Sequence, residues 1–192
     1  STITLAKSMS LASIIQGAGT FNASSYDLTT TGNFTQTAGT FSGGSGNISI
    51  GGNLTISGGT FTASSATTSV YGNLSTAGGT FSANSGLFIL NGTSQTVTGT
   101  TTFSRLTKTI SSAANLIFGA GQTFTIMGTT TFQGASGQLL TLKSTSTPSQ
   151  WIFDYRGGLD LSYLTVKDSN NIGTTIDASS YTSIADGGNN TK

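Results

Sequence analysis

Gly52-Asn53-Leu54-Thr55-Ile56-Ser57-Gly58-Gly59-Thr60-Phe61 is followed 20 residues later by Gly72-Asn73-Leu74-Ser75-Thr76-Ala77-Gly78-Gly79-Thr80-Phe81. The two stretches are one unit written twice, and the same register extends beyond them. Gly-Thr-Phe stands at Gly19-Thr20-Phe21, Gly39-Thr40-Phe41, Gly59-Thr60-Phe61 and Gly79-Thr80-Phe81. Gly-Asn stands at Gly32-Asn33, Gly52-Asn53 and Gly72-Asn73, then degenerates to Asn91-Gly92-Thr93. Self-similarity at one fixed spacing is the mark of units that stack, and it outranks a local reading of any single stretch.

One unit, Gly39 to Gly58, reads as three short extended segments separated by turns. Thr40-Phe41-Ser42 is the first, Asn47-Ile48-Ser49-Ile50 the second and Asn53-Leu54-Thr55-Ile56-Ser57 the third. Apolar residues alternate, so Phe41, Ile48, Ile50, Leu54 and Ile56 share the inner face. Glycines at Gly43-Gly44, Gly51-Gly52 and Gly58-Gly59 supply the corners. Helix is disfavoured by the excess of Thr, Ser, Gly and β-branched residues. Three strands in so short a unit leave no room for hairpins of ordinary length. The fold expected is all-β: a single-stranded parallel β-helix, or solenoid, right-handed, with about 20 residues per rung.

Stacking at that period lines up columns. Phe21, Phe41, Phe61 and Phe81 form an inward aromatic ladder, and Asn33, Asn53 and Asn73 a corner column whose side-chain amides bond to one another up the axis. Leu28, Ile48, Thr68 and Phe88 share a column, as do Ile50, Val70 and Leu90, and Ile14, Phe34, Leu54 and Leu74. The chain joins this pattern part-way round a rung, with Thr2-Ile3-Thr4-Leu5 alternating like a strand; Leu5 to Gln16 is the one stretch able to form a short helix. After Gly99 the period loosens. Ser111 to Phe118, Thr123 to Met127, Leu139 to Leu142, Trp151 to Tyr155 and Leu159 to Val166 read as strands, Ser144 to Gln150 as a loop, and Gly187 to Lys192 as a frayed tail. The organisation expected is one β-helix domain over residues 1–192, with regular repeats over 1–99 and less regular rungs over 100–192.

Composition excludes several function classes. Ser and Thr fill about a third of the chain, with 27 Gly and 1 Pro. Charged residues are 7% and the net charge is +1, so there is no electrostatic footprint for nucleic acid. No apolar run approaches the ~20 residues of a membrane-spanning helix. Cys and His are both absent, which removes thiolate metal sites and the commonest general base. Between Leu28 and Ser104 no residue is charged, so no carboxylate pair or nucleophile–base pair can be assembled there. The expectation is a protein without catalytic residues, cofactor or metal.

Some residues invite a chemical reading. Asp154 and Asp160, with Arg156 between them, could be a glycosidase carboxylate pair; a surface ion pair and a turn carboxylate explain them better. Asp168-Ser169-Asn170-Asn171 and Asp177 resemble an oxygen-rich cation loop without the spacing of a known calcium loop. Asn22, Asn33, Asn47, Asn53, Asn73, Asn91 and Asn189 stand in Asn-x-Ser/Thr frames and are glycosylation candidates, although a chain this rich in Ser and Thr makes such frames by chance. Thr20, Thr40, Thr60 and Thr80 form an outward column of the kind an ice-binding face would need, beside the mixed column Asn22, Ser42, Thr62 and Ser82. Tyr71, Trp151, Tyr155 and Tyr163 are the aromatics left for stacking on sugar rings.

The two repeats quoted at the outset resemble the Gly-Asn-Leu-Thr…Gly-Gly-Thr-Phe repeats of large secreted microbial β-helix surface proteins of the adhesin or filament type. Ser162 to Asn171 and Thr175-Ile176-Asp177-Ala178 are similar to their end segments. The resemblance implies an extracellular or cell-surface location, a scaffolding or adhesive role and no catalytic residues. The function expected is an extracellular structural protein, a self-associating subunit of a cell-surface or extracellular filament. Its partners would be other copies of itself and surface glycans. The alternatives are an adhesin or carbohydrate-binding module of a larger surface protein, then a polysaccharide-degrading enzyme, then an ice-binding protein.

Overall fold

The computed structural model describes residues 1–191; Lys192 lies outside the described residues. The protein is all-β, a parallel β-solenoid, and among the described residues the only helical element is the 3-10 turn Ala178–Ser180. The chain divides into two compact units, Ser1–Gly92 and Thr93–Lys192.

In the first unit each turn contributes a strand to each of three walls. One wall is the 5-stranded sheet Thr2–Thr4, Thr20–Asn22, Thr40–Ser42, Thr60–Thr62 and Thr80–Ser82. The second stacks Met9–Leu11, Leu28–Thr30, Ile48–Ile50, Thr67–Val70 and Leu87–Leu90, and the third Ile14–Gln16, Phe34–Gln36, Leu54–Ile56 and Leu74–Ser75. Every pairing is parallel, and partners repeat at the sequence period: Phe21 lies over Phe41, Phe41 over Phe61 and Phe61 over Phe81. The other columns also form as the period requires, including Leu28–Ile48–Thr68–Phe88 and Ile14–Phe34–Leu54–Leu74. Leu5 to Gln16 is not helical; it forms Met9–Leu11 and Ile14–Gln16, because parallel backbone partners in Leu28–Thr30 and Phe34–Gln36 outweigh any local helical preference.

The Phe ladder faces inward. Phe41 and Phe61 are fully buried and stack at 4.6 Å with their rings 22° apart, and Phe34 meets both edge-on at 4.8 and 5.3 Å. Phe21 and Phe81, on the outer strands of the set, are only half-buried. Ring pairs of this kind add about 0.5–1.5 kcal/mol each beyond the area they bury. Beside them an unexpected pair lies inside: Gln16 and Gln36, 7% and 0% exposed. Each Nε2 donates to a carbonyl 24 residues on, Thr40 O at 2.8 Å and Thr60 O at 3.0 Å, which ties two walls together. Their Oε1 atoms are buried without a hydrogen-bond partner.

The Asn column is a ladder of a different kind from the one expected. The side-chain amides do not bond to each other; Asn33 Oδ1 accepts from the backbone N–H of Asn53 at 2.8 Å, and Asn53 Oδ1 from that of Asn73 at 2.7 Å. The side chain thereby takes up a corner N–H that no strand pairs. This also explains the glycines before Asn53 and Asn73. A Cβ on Gly52 or Gly72 would land on the Asn oxygen of the rung below. At the other corner, Gly39 and Gly59 hold φ of +77° and +72°, the left-handed region that a side chain resists.

The second unit keeps the parallel walls with longer, uneven rungs. One wall is the 4-stranded sheet Thr101–Phe103, Thr123–Ile126, Trp151–Tyr155 and Ser169–Asn171. The other strands run through Gln95–Thr98, Ala114–Phe118 and Leu140–Ser144 on one side and Arg105–Thr109 and Thr130–Gln133 on the other. The 8-residue strand Leu159–Val166 belongs to both, its first half beside Thr130–Gln133 and its second beside Leu140–Ser144. Thr182–Asp186 then pairs with that strand. The aromatic theme survives as a cluster instead of a single column: Phe103 lies over Ile126, Phe124 over Phe153, and Phe118 stacks on Trp151 at 4.3 Å.

The tail is not frayed over its described part. Asn189 Nδ2 donates to Asp168 Oδ1 at 2.7 Å, Asn190 Oδ1 accepts from Ser169 N at 2.9 Å, and Thr191 pairs with Asn170. The polar side chains that made the tail look loose are what fasten it.

Candidate functional site

The carboxylates do not assemble into a catalytic pair. Asp154 lies in Trp151–Tyr155 and Asp160 in Leu159–Val166, strands of different sheets. Asp154 Oδ2 accepts from Arg156 Nη2 at 2.7 Å and Nε at 3.1 Å, and from Thr125 Oγ1 at 3.3 Å. The Arg156 guanidinium holds its carboxyl below the usual carboxylate range, so it is an ionised partner in an ion pair. Asp168 is buried, and its carboxylate accepts from Thr147 Oγ1 at 2.6 Å and from Asn189. Those two donors lower its pKa. Asp177 caps the 3-10 turn, accepting from Ser179 N at 3.0 Å. Among the described residues no cluster of three or more His, Cys, Asp or Glu could hold a metal.

The sugar-stacking candidates separate. Trp151 and Tyr155 are core residues, Trp151 donating its indole N–H to Lys167 O at 3.1 Å and Tyr155 stacking on Phe153 at 5.6 Å. Tyr71 is exposed just past Thr67–Val70 in the first unit, and Tyr163 is half-buried in Leu159–Val166 of the second. The Thr column is in register as read, Thr20–Thr40–Thr60–Thr80, and extends to Thr2. Of the Asn in glycosylation frames, Asn33, Asn47, Asn53, Asn73, Asn91 and Asn189 are exposed and Asn22 is half-buried. Asn33, Asn53 and Asn73 occupy successive rungs, which lie only about 4.8 Å apart. Asn22 Oδ1 accepts from Ser24 N at 2.8 Å, and Asn189 Nδ2 is committed to Asp168 and Pro148 O.

Two features escaped the sequence reading. The first is Lys108, wholly buried in the second unit, its Nζ donating to Gln95 Oε1 at 2.8 Å. Burial lowers its pKa from the usual 10.5 to about 8. Alternation with Leu106 in Arg105–Thr109 was the available signal. The second is a cavity of about 370 Å³ in the second unit. Phe132, Trp151, Leu164, Ile176, Ala178 and Ile184 are among the apolar residues that line it. Asn171, Asp186, Asn190 and Thr191 are among the polar ones.

The first unit has a concavity of its own, about 300 Å³, beside its outermost rung and lined by Ile3, Ile14, Gln16 and Phe21 among others. Thr2–Thr4, Met9–Leu11 and Ile14–Gln16 are each the outer strand of their wall in that unit, and Ile3 and Ile15 there are 57% and 81% exposed.

Compared with family models, curated proteins and solved structures, the chain finds no match. No helix among the described residues is long and apolar enough to cross a membrane.

Proposed function

We propose that the chain is an extracellular structural protein that associates with copies of itself through the edges of its first rung, as a subunit of a cell-surface or filamentous assembly. One observation supports this most: the outer edges of Thr2–Thr4, Met9–Leu11 and Ile14–Gln16 carry no strand among the described residues, and Ile3 and Ile15 stand exposed beside them. An unpaired edge with apolar side chains is a template for another strand. That edge accepts whichever rung is offered to it, and in a preparation of this chain alone a second copy supplies it. Pairing of two identical edges closes into a dimer; pairing of this edge with a different surface leaves an open assembly that grows. The filament reading expects growth. The extracellular location rests on the resemblance of the repeats.

The reading gives the rest of the molecule a mechanical role. Its bonded ladders and charge-free flank set distances between rungs, with no charged residue between Leu28 and Ser104. Sedimentation velocity over a wide concentration range tests it, with Ile15→Lys as the variant, since Ile15 supports no core packing. Association that rises with concentration and is lost in the variant is expected. A monomer at every concentration, or association indifferent to the substitution, would overturn the proposal.

A further inference from the structure

The cavity in the second unit has the build of a small-molecule site. Its volume, about 370 Å³, lies within the range of ligand pockets and is some 2.5 times the ~150 Å³ of an apolar cavity that takes up benzene. Its apolar lining includes Leu161 and Val166, half-buried on the strand Leu159–Val166, backed by the buried Phe132, Trp151 and Leu164. Ile176, Ala178 and Ile184, also in the lining, come from the segment around the 3-10 turn and from the strand Thr182–Asp186.

The polar part of the lining decides what kind of ligand suits it. Asn190 Oδ1 accepts from Ser169 N and Oγ, both at 2.9 Å, while its Nδ2 donates to Val166 O at 2.7 Å and to Asp186 Oδ1 at 2.6 Å. Asn171 Nδ2 donates to Thr174 O at 2.7 Å, and its Oδ1 accepts from Gly173 N at 3.1 Å. Thr191 Oγ1 donates to Gln150 Oε1 at 3.3 Å. These polar groups are spent within the chain, so a polar ligand would find none waiting. The one charge in the lining is the Asp186 carboxylate, and no cation lines the cavity to receive an anion. Water gains little in such a space, because it needs two to four polar partners.

We propose that this cavity binds a neutral, apolar small molecule, an alkyl chain or a simple ring, and discriminates against anionic amphiphiles of the same length. The attraction is transfer of apolar surface from water, and the discrimination comes from the Asp186 carboxylate in the lining.

The probes are 1-octanol and octanoate, titrated into the full chain while the methyl NMR signals of Ile176 and Ile184 and the melting temperature are followed. Saturable shifts at those methyls and a concentration-dependent rise in melting temperature are expected with 1-octanol, with octanoate at least tenfold weaker. Ala178→Phe fills the space from an exposed position and should weaken 1-octanol binding at least tenfold while leaving the rest of the spectrum in place. The proposal is overturned by the absence of saturable shifts, by octanoate binding as well as 1-octanol, or by affinity unchanged in Ala178→Phe. It is overturned too if the methyls shift with protein concentration alone, which would place a second copy in the cavity. The Ile15→Lys variant should bind 1-octanol normally, which separates this result from self-association.

Discussion

Lys108 is an amine buried in the second unit with its Nζ on Gln95 Oε1, and the cost of that burial should be visible as a pH dependence of stability. In the unfolded chain it titrates near 10.5, and in the fold near 8. Below pH 8 both states hold the proton and the fold carries the whole penalty. Between about 8 and 10.5 the unfolded chain binds the proton that the folded chain has lost, so stability must rise with pH across that window. A difference of about 2.5 pKa units at 1.36 kcal/mol each makes the total about 3 kcal/mol. Replacing Lys108 with Met keeps most of the side-chain volume and removes the charge. It also takes from Gln95 a hydrogen bond worth about 1 kcal/mol. Lys108→Met should therefore be more stable than the parent by about 2 kcal/mol at pH 7. The advantage should shrink as pH rises and turn into a deficit of about 1 kcal/mol above pH 10.5. Denaturant unfolding of both proteins, read from Trp151, the only tryptophan and a residue of the same unit, measures the difference at each pH. A difference that stays constant from pH 7 to 10.5, or a variant less stable than the parent at pH 7, would refute the reasoning.

Other outcomes follow from the packing. Phe61→Ala should cost about 3–5 kcal/mol and Phe21→Ala clearly less, since only the first is fully buried; thermal unfolding ranks them. Gly72→Ala would drive a Cβ into Asn53 Oδ1 and the backbone beside it, and should destabilise by about 1–3 kcal/mol, whereas Asn53→Ala removes one exposed bond for about 1 kcal/mol. The Asp154 carboxyl should titrate below the usual range by NMR and move up in Arg156→Gln. Because its folded pKa is the lower one, whatever stability it contributes is present above about pH 4 and is lost as pH falls through the folded value.

Most of the first unit was legible because identical residues at one period must meet once a chain coils at that period. The Phe, Leu28–Phe88 and Ile14–Leu74 columns needed no information beyond the spacing. What hid was chemistry out of keeping with its position. Gln16 and Gln36 sit in an inward column that Ile56 continues, and their polarity disguised it; only the carbonyls of Thr40 and Thr60, 24 residues on, make their burial tolerable. Lys108 was hidden in the same way. Trp151 and Tyr155 are core residues and not sugar-stacking ones, and the alternation of Trp151, Phe153 and Tyr155 on one face is the period-two signal of that burial. The Asn column was placed correctly and its bonding misread, because a backbone N–H one rung up competes better for the amide oxygen than another side chain does. The cavity could not be seen at all: its lining comes from segments tens of residues apart, joined by pairings with no repeat behind them.

The chain has no cysteine, so a designed pair reports on rung register without interference. Ser42 and Thr62 are partners on adjacent parallel strands, and their Cα atoms should lie about 4.8 Å apart, within the reach of a disulfide; Ser42 and Ser82 are two strands apart and beyond it. Mild oxidation of Ser42→Cys/Thr62→Cys should close an intramolecular disulfide in the native protein, and Ser42→Cys/Ser82→Cys should stay reduced. Failure of the first pair to close, or closure of the second, would contradict a solenoid in which each turn lies over the last in register.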